Sequence, residues 1–421
     1  MKKLIPLCIL LTLTSACSST SKKVTIGPDA NQYTNASKIS CTEDKPVAVK
    51  NKHGIYLDIA IPTLDPGIPT NKYGNYDKEE LDELGIWPNL RRMESHIYAH
   101  ALREQISATG AFGSVVMTPH AGASADVYLL GEVKASTSEF VSIDVAIVDS
   151  RGEIIDSKVF AYRVPKHHYQ CPGIDPTENS YMPVYRTIAR WAGDEINKLS
   201  QEEVKNIQRT TSLRYAAMYM PEKYESMLET GTTEWNGKVL TSYNIKQFPA
   251  GNDKTFNRIN AIRAKDDAFW DAYQDNIDAT VMFTNGAYTS WQAESLPVAI
   301  AVREALDERN WSIFKSVLFA GAIVAISGDA SAVAMLKLLA LNETFKEVEN
   351  AFKQNQRFKE ESMILEELGR NADLALAPTV IKIDEEVVTL TGTLHEQYTQ
   401  WQGQLRKIAL LETTPNIELG I

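Results

Sequence analysis

Cysteine is scarce in this chain, four among 421 residues, and so are positive charge and long apolar runs. Each shortage excludes something. So few thiols leave no room for a cysteine-dense disulfide scaffold. No uncharged apolar stretch reaches the roughly twenty residues that a spanning helix needs. Lys and Arg number 43 against 54 Asp and Glu, a formal charge of −11. A chain of that balance has no cationic surplus to offer nucleic-acid phosphates or an anionic membrane surface. Familiar catalytic signatures are missing as well. There is no G-x-S-x-G nucleophile turn, no phosphate-binding P-loop, no G-x-G-x-x-G and no H-E-x-x-H. No cofactor and no nucleic-acid partner are therefore expected.

What is present begins with a three-zone amino terminus. Lys2 and Lys3 form a positive patch, Leu4 to Leu13 an apolar core, and Thr14-Ser15-Ala16 a run of small residues before Cys17. That is the pattern of a secretory signal at residues 1–16. Ser15-Ala16-Cys17 resembles the lipobox of bacterial lipoproteins, in which the cysteine is acylated and becomes the first residue of the mature chain. Thr14 stands where that pattern usually carries leucine. The resemblance implies a lipid on Cys17, and Ser18 in place of an aspartate implies sorting to the outer membrane, with the protein on its periplasmic face. Multiple acyl chains anchor stably where a single one does not. Loss of the two leader lysines moves the formal charge from −11 to −13.

With Cys8 in the leader and Cys17 lipidated, Cys41 and Cys171 are left as an even pair in an oxidising compartment. They are expected to form a disulfide. In the chain-entropy description, closing a loop of more than about one hundred residues stabilises by about 4 to 5 kcal/mol. The alternative is a metal held by His167, His168 and Cys171 in "HHYQC", which lacks a fourth ligand at zinc-finger spacing.

The composition, 44% hydrophobic and 23% charged, suits a folded body of two or three domains. The expected class is α+β. Residues 17–45 lack hydrophobic periodicity and read as a lipidated tether. A small α/β domain is expected over 46–200. It starts with a strand in "GIYLDIAIP" from Gly54, followed by a helix from about Leu90 that Gly110 stops. "GSVVMTP" is a strand, and an antiparallel meander follows through "ADVYLLGEVKAST", "EFVSIDVAIVDS" and "EIIDSKVFAYRV", with "DSRGE" as one turn. A helix from about Tyr181 to Leu199 closes the unit. A mainly helical domain is expected over 201–376. In it, Phe256, Ile259, Ile262, Phe269, Tyr273, Ile277 and Val281 make an apolar stripe with acids and bases on the other face. Residues 377–421 read as a β-hairpin turning at 384–386 and a helix carrying Tyr398, Trp401, Leu405 and Ile408.

That order of elements over about residues 50–200 resembles the small α/β domain of several envelope lipoproteins. These include the curli-secretion lipoprotein, the lipoprotein activator of a penicillin-binding protein and the amino-terminal part of the Tol-system β-propeller protein. "GIWPNLRRMESHIYAHALREQISATGAFGSVVMTP" together with "LTGTLHEQYTQWQGQLRKIALLET" resembles a broad family of uncharacterised proteobacterial envelope proteins, a likeness that implies no activity. The terminal hairpin is similar to half of the phospholipid-binding BON module, whose other half is missing.

Few residues carry candidate chemistry. His96, His100 and Glu104 stand four apart on one helix face; they read as solvated surface, with metal binding as the alternative. Glu360 with Glu361, and Glu366 with Glu367, are adjacent on helices and diverge by about 100°. Trp87, Trp191, Trp270, Trp291, Trp311 and Trp401 read as core anchors. The stretch "SVLFAGAIVAISGDASAVAMLKLLAL" is too short to span a membrane. Within it Val317, Phe319, Gly321 and Ile323 are candidates for a membrane or subunit contact, the alternative being a buried helical hairpin. The expected function is that of a non-enzymatic scaffold or assembly factor for another envelope protein. An envelope enzyme with a noncontiguous site and an oligomeric secretion or appendage component are the alternatives.

Overall fold

A computed structural model describes residues 45–305 and 375–413, with 363–365 and 367, less positions 72, 78–79, 82–85, 172–173 and 384–385. The protein is α+β. Strand β1 (Ile59–Pro62) leads into helix α1 (Pro88–Thr109) and strand β2 (Val115–Thr118), after which β3 (Val127–Ser136), β4 (Phe140–Asp149) and β5 (Ile154–Arg163) form the meander. The five-stranded sheet runs in the order β2-β1-β3-β4-β5. Strand β1 pairs parallel with both β2 and β3, and the meander is antiparallel. Gly110 caps α1 in the left-handed conformation at φ 68°, as its position after the last apolar residue predicts. Helix α2 (Met182–Ile196) packs beside α1.

Every residue of β4 is buried, because the sheet is covered on both faces. Val141, Ile143, Val145 and Ile147 belong to the main core with α1 and α2. Ala146 and Val148 point the other way and pack on Trp235. Trp235 ends a strand that the sequence reading does not anticipate. Helix α3 (Gln201–Tyr219) is followed by a hairpin of β6 (Leu228–Trp235) and β7 (Lys238–Ile245), within a region expected to be mainly helical. Asn236 and Gly237 at its tip both take positive φ, 49° and 72°, the requirement of a tight type I′ turn. The hairpin lies on the turn between β4 and β5. The Tyr243 N–H donates to the Arg151 carbonyl at 2.7 Å, and a Cβ on Gly152 would collide with the Thr241 carbonyl.

Helix α4 (Lys254–Ala305) is 52 residues long and continues through Pro297. The apolar stripe from Phe256 to Val281 is buried as its spacing predicts. It does not pack in a bundle apart from the sheet. From Ile262 onward its buried side chains share one core with the sheet and α1, while Phe256 and Ile259 join a smaller core with α3 and the hairpin; the Gln274 side chain bonds both the N–H and the carbonyl of Met117, at 2.9 and 3.1 Å. That amide stands in for a neighbouring strand along the β2 edge. The chain closes with strands β8 (Ala375–Ile383) and β9 (Glu386–Thr393), paired antiparallel, and helix α5 (Leu394–Thr413). Thr393 and Glu396 exchange side-chain to backbone hydrogen bonds at the start of α5. Trp401 of α5 stacks on Phe269 of α4 at 5.1 Å.

The first strand begins at Ile59 and not at Gly54. The segment before it is tied by side chains, with the Asn51 amide donating to the Ile55 and Ala111 carbonyls. Among the described residues no helix is long and apolar enough to cross a membrane.

Candidate functional site

Helix α3 presents Thr211, Arg214, Tyr215 and Met218 at offsets of three, four and seven, so they share a face. That face is one wall of a cleft of about 520 Å³. The opposite walls are the small-residue loop 121–125 and the hairpin residues Leu228, Thr230 and Tyr243, while Tyr398 of α5 closes one end. A secondary core of Leu213, Tyr215, Ala216, Tyr224, Leu228, Phe256 and Ile259 lies under the hairpin side and holds the walls together. Tyr128 fixes the loop: its hydroxyl donates to the Ala123 carbonyl at 2.7 Å and accepts from the Ala125 N–H at 3.2 Å.

Four tyrosines, Tyr128, Tyr215, Tyr243 and Tyr398, line the cleft beside Arg214. The Tyr243 ring lies 4.1 Å from the Arg214 guanidinium carbon, a cation–π contact, and one guanidinium nitrogen donates to the Ser150 carbonyl. The Tyr215 and Tyr219 rings are 5.0 Å apart, and their hydroxyls face each other without closing a full hydrogen bond. Burial pushes Tyr215 and Tyr398 well above the ordinary phenol value, and the nearby Asp266 carboxyl adds to this. Both hydroxyls therefore stay protonated and act as donors.

Aspartates lie behind the cleft, while Glu225 stands at its exposed lip. Asp266 of α4 is 2% exposed and accepts from the Trp401 indole N–H at 2.9 Å. Its burial raises it to about 7, the Trp401 bond opposing the shift. Asp267 is raised to about 6, by burial first, with Arg263 opposing. Arg263 stands 3.6 Å from Asp58 and 3.8 Å from Asp126. Asp126 is raised by burial, held back by Arg263 and by the Thr211 hydroxyl, which donates to it at 2.7 Å. The sequence reading puts the acids of α4 on its exposed face; Asp266 departs from that, because α5 covers the helix there.

A second buried polar cluster sits between α1, the sheet and α4. Glu94, 1% exposed, accepts from Ser136 at 2.6 Å and Tyr288 at 2.8 Å and pairs with the buried Arg91 at 3.3 Å. Tyr98 bonds both Ser136 and Tyr288. Burial raises Glu94, and Arg91 opposes the rise. Glu94 falls on the apolar face with Ile97, Tyr98 and Ala101, a signal that the sequence does contain.

The residues singled out from sequence do not converge. His100 is not solvated surface: its ring meets Asp278 of α4 at 2.9 Å, and Arg103 reaches the same oxygen at 2.7 Å. Helix α4 passes over that face of α1, which the sequence alone does not show. Glu104 is exposed, 3.8 Å from His100, and His96 is half-buried. His167 contacts Gln170 at 3.2 Å, and His168 packs on Tyr169. Among the described residues no three His, Cys, Asp or Glu side chains gather as a metal site. Cys171 is buried at the end of the short turn His168–Gln170. Cys17, Cys41, Val317, Phe319, Gly321, Ile323, Trp311, Glu360, Glu361 and Glu366 lie outside the described residues. The five other tryptophans named above are buried or half-buried.

No family model, curated protein or solved structure matches the chain.

Proposed function

We propose that the protein is an outer-membrane lipoprotein, anchored through Cys17 and facing the periplasm, that works as a non-enzymatic scaffold or assembly factor for another envelope component. One observation carries the reading of its recognition end: the cleft is lined by tyrosine rings and a guanidinium, while Asp58, Asp126 and Asp266 behind it are turned onto internal partners and Glu225 stands at its exposed lip. Aromatic rings and arginine are the side chains that anchor partners at interfaces. Anchorage rests on the leader and on Ser15-Ala16-Cys17. In this reading Cys41 and Cys171 form the disulfide that ties the tether to the sheet domain.

Two measurements test it. Cys17→Ser releases the protein from the membrane fraction; unchanged fractionation removes the anchor. A photo-crosslinking amino acid at Met218, on the exposed lip of the cleft, captures a specific envelope protein in cells. Capture of abundant proteins alone, as from a control site at Met282, defeats the scaffold reading.

A second reading has one specific observation behind it. Asp266, near 7, lies against Tyr215 and Tyr398, which both line the cleft. A perturbed acid beside a cleft is a mark of catalytic sites. An envelope enzyme of this kind loses its activity in Asp266→Asn, and its wild-type rate follows a titration near pH 7.

A further inference from the structure

Arg214 lines the cleft without a close ion pair among the described residues. Its contacts are the Ser150 carbonyl and the Tyr243 ring, and among the described residues no carboxylate lies within 4.0 Å of it. Of the acids nearby, Glu225 stands at the exposed lip of the cleft and the others are committed elsewhere. Asp149 takes Arg151 through two bonds to one oxygen, at 2.6 and 2.9 Å, Asp58 and Asp126 share Arg263, and Asp266 takes the Trp401 indole. Ring and carbonyl fix the guanidinium plane, so little side-chain freedom is left to lose when a ligand arrives. On the same helix face Tyr215 contributes a buried hydroxyl without a full hydrogen bond. Around these donors the wall mixes small and apolar side chains, Ala121, Ala123, Ala125, Met218 and Leu228, with the hydroxyls of Ser124, Thr211 and Thr230. The volume of about 520 Å³ falls within the range of small-molecule sites.

We propose that this cleft binds a carboxylate carried on a compact apolar body, the carboxylate meeting Arg214 and the body filling the space between loop 121–125 and Tyr243. A guanidinium offers a carboxylate two parallel N–H donors and a full positive charge, so Arg214 selects an anionic acceptor. The carboxylate belongs either to a free organic acid or to the end of a protein chain. The proposal rests on the cleft being a recognition site. Its failure leaves membrane fractionation and the crosslinks at Met218 untouched, whereas loss of those leaves the titrations below standing.

The test is isothermal titration of the full-length protein with 3-phenylpropanoate and with N-acetyl-Ala-Phe, each against its neutral amide. At least one acid binds, and its amide binds about tenfold more weakly or not at all. Binding by 3-phenylpropanoate identifies a free acid as the source; binding by the dipeptide acid alone identifies a chain end. Arg214→Gln weakens the acid by about tenfold or more. Two further variants stand on exposed positions and leave the Arg214 contacts intact. Ala121→Trp fills the cleft and abolishes binding, while Glu225→Gln removes an acid from the lip and tightens it about twofold, an effect that shrinks in high salt. The proposal is overturned if neither acid binds, if acid and amide bind alike, or if Ala121→Trp and Glu225→Gln leave the affinity unchanged.

Discussion

Asp266 shows how one side chain can set the pH response of the whole protein. The carboxyl is sealed under α5, with the Trp401 indole as its hydrogen-bond donor. Burial raises it to about 7 from an ordinary value near 3.8. The folded protein thus holds a proton that the unfolded chain gives up. The stability this supplies is complete below about pH 4 and is lost as pH rises through about 7, up to about 4 kcal/mol. Asp267, raised to about 6, acts in the same direction. Asp266→Asn keeps an oxygen for the indole and removes the ionisation. Denaturant melts should show the variant more stable than wild type at pH 8, with a shallower loss of stability between pH 4 and 7. Equal pH profiles in the two proteins would contradict the assignment. Burial raises Glu94 as well, but here a buried cation, Arg91, opposes the rise. Removing the Glu94 charge leaves Arg91 buried without its ion pair, a change that costs about 3 to 5 kcal/mol.

At the level of elements, the β6–β7 hairpin is held by what it touches and not by its own sequence. Of the eight residues in β6 only Leu228 and Trp235 are buried. Trp235 lies against Ala146 and Val148, the Asn236 amide donates to Asp144 at 2.9 Å and Glu132 at 3.3 Å, and Lys238 bonds Asp65. A two-stranded hairpin alone in water is marginal at best. Trp235→Ala should therefore cost about 3 to 5 kcal/mol and, in hydrogen exchange, release residues 228–245 well before β4. If the hairpin keeps its protection, local strand pairing and not docking holds it. The same dependence explains what the sequence conceals. Helix α1, the meander and the stripe of α4 are legible because their apolar residues repeat at 3.6 or at 2 over many positions. "LETGTTEW" has no such repeat, so the hairpin is hidden within an otherwise helical stretch. Asn236-Gly237 is the local cue, and it gains meaning only between two strands. The cleft was less legible still. Its walls come from residues 121–125, 211–218, 228–243 and 398, and in each segment the lining residues look like ordinary surface or ordinary core. His100 misleads for the same reason, because its partner Asp278 is 178 residues away.

On the scale of the molecule, α4 makes one body out of what reads as three regions. At about 1.5 Å per residue its 52 residues extend for about 78 Å, and it is fastened to different partners along that length. Gln274 completes the β2 edge, Asp278 takes His100 and Arg103, and Tyr288 enters the Glu94 cluster. Farther on, Gln292 bonds the Ser180 N–H, and Arg303 pairs with the buried Glu139 at 2.7 Å. The terminal helix α5 joins the same core through Trp401, Tyr398 and Leu405. Residues on α1, the sheet, α4 and α5 thus lose and gain burial together, the condition for cooperative unfolding. Trp401→Ala tests this directly. The vacated space beside Phe269 and the stranded Asp266 carboxyl should cost about 3 to 5 kcal/mol. In hydrogen exchange the lost protection should be shared by peptides from 256–281 and from β4, whose apolar residues belong to the same core. Exchange confined to α5 and α4, with β4 protected as in wild type, would mean that the sheet and the long helix unfold as independent units. Coordinated loss would mean that the cleft, whose walls belong to α3, the hairpin, loop 121–125 and α5, keeps its shape only while the entire core is closed.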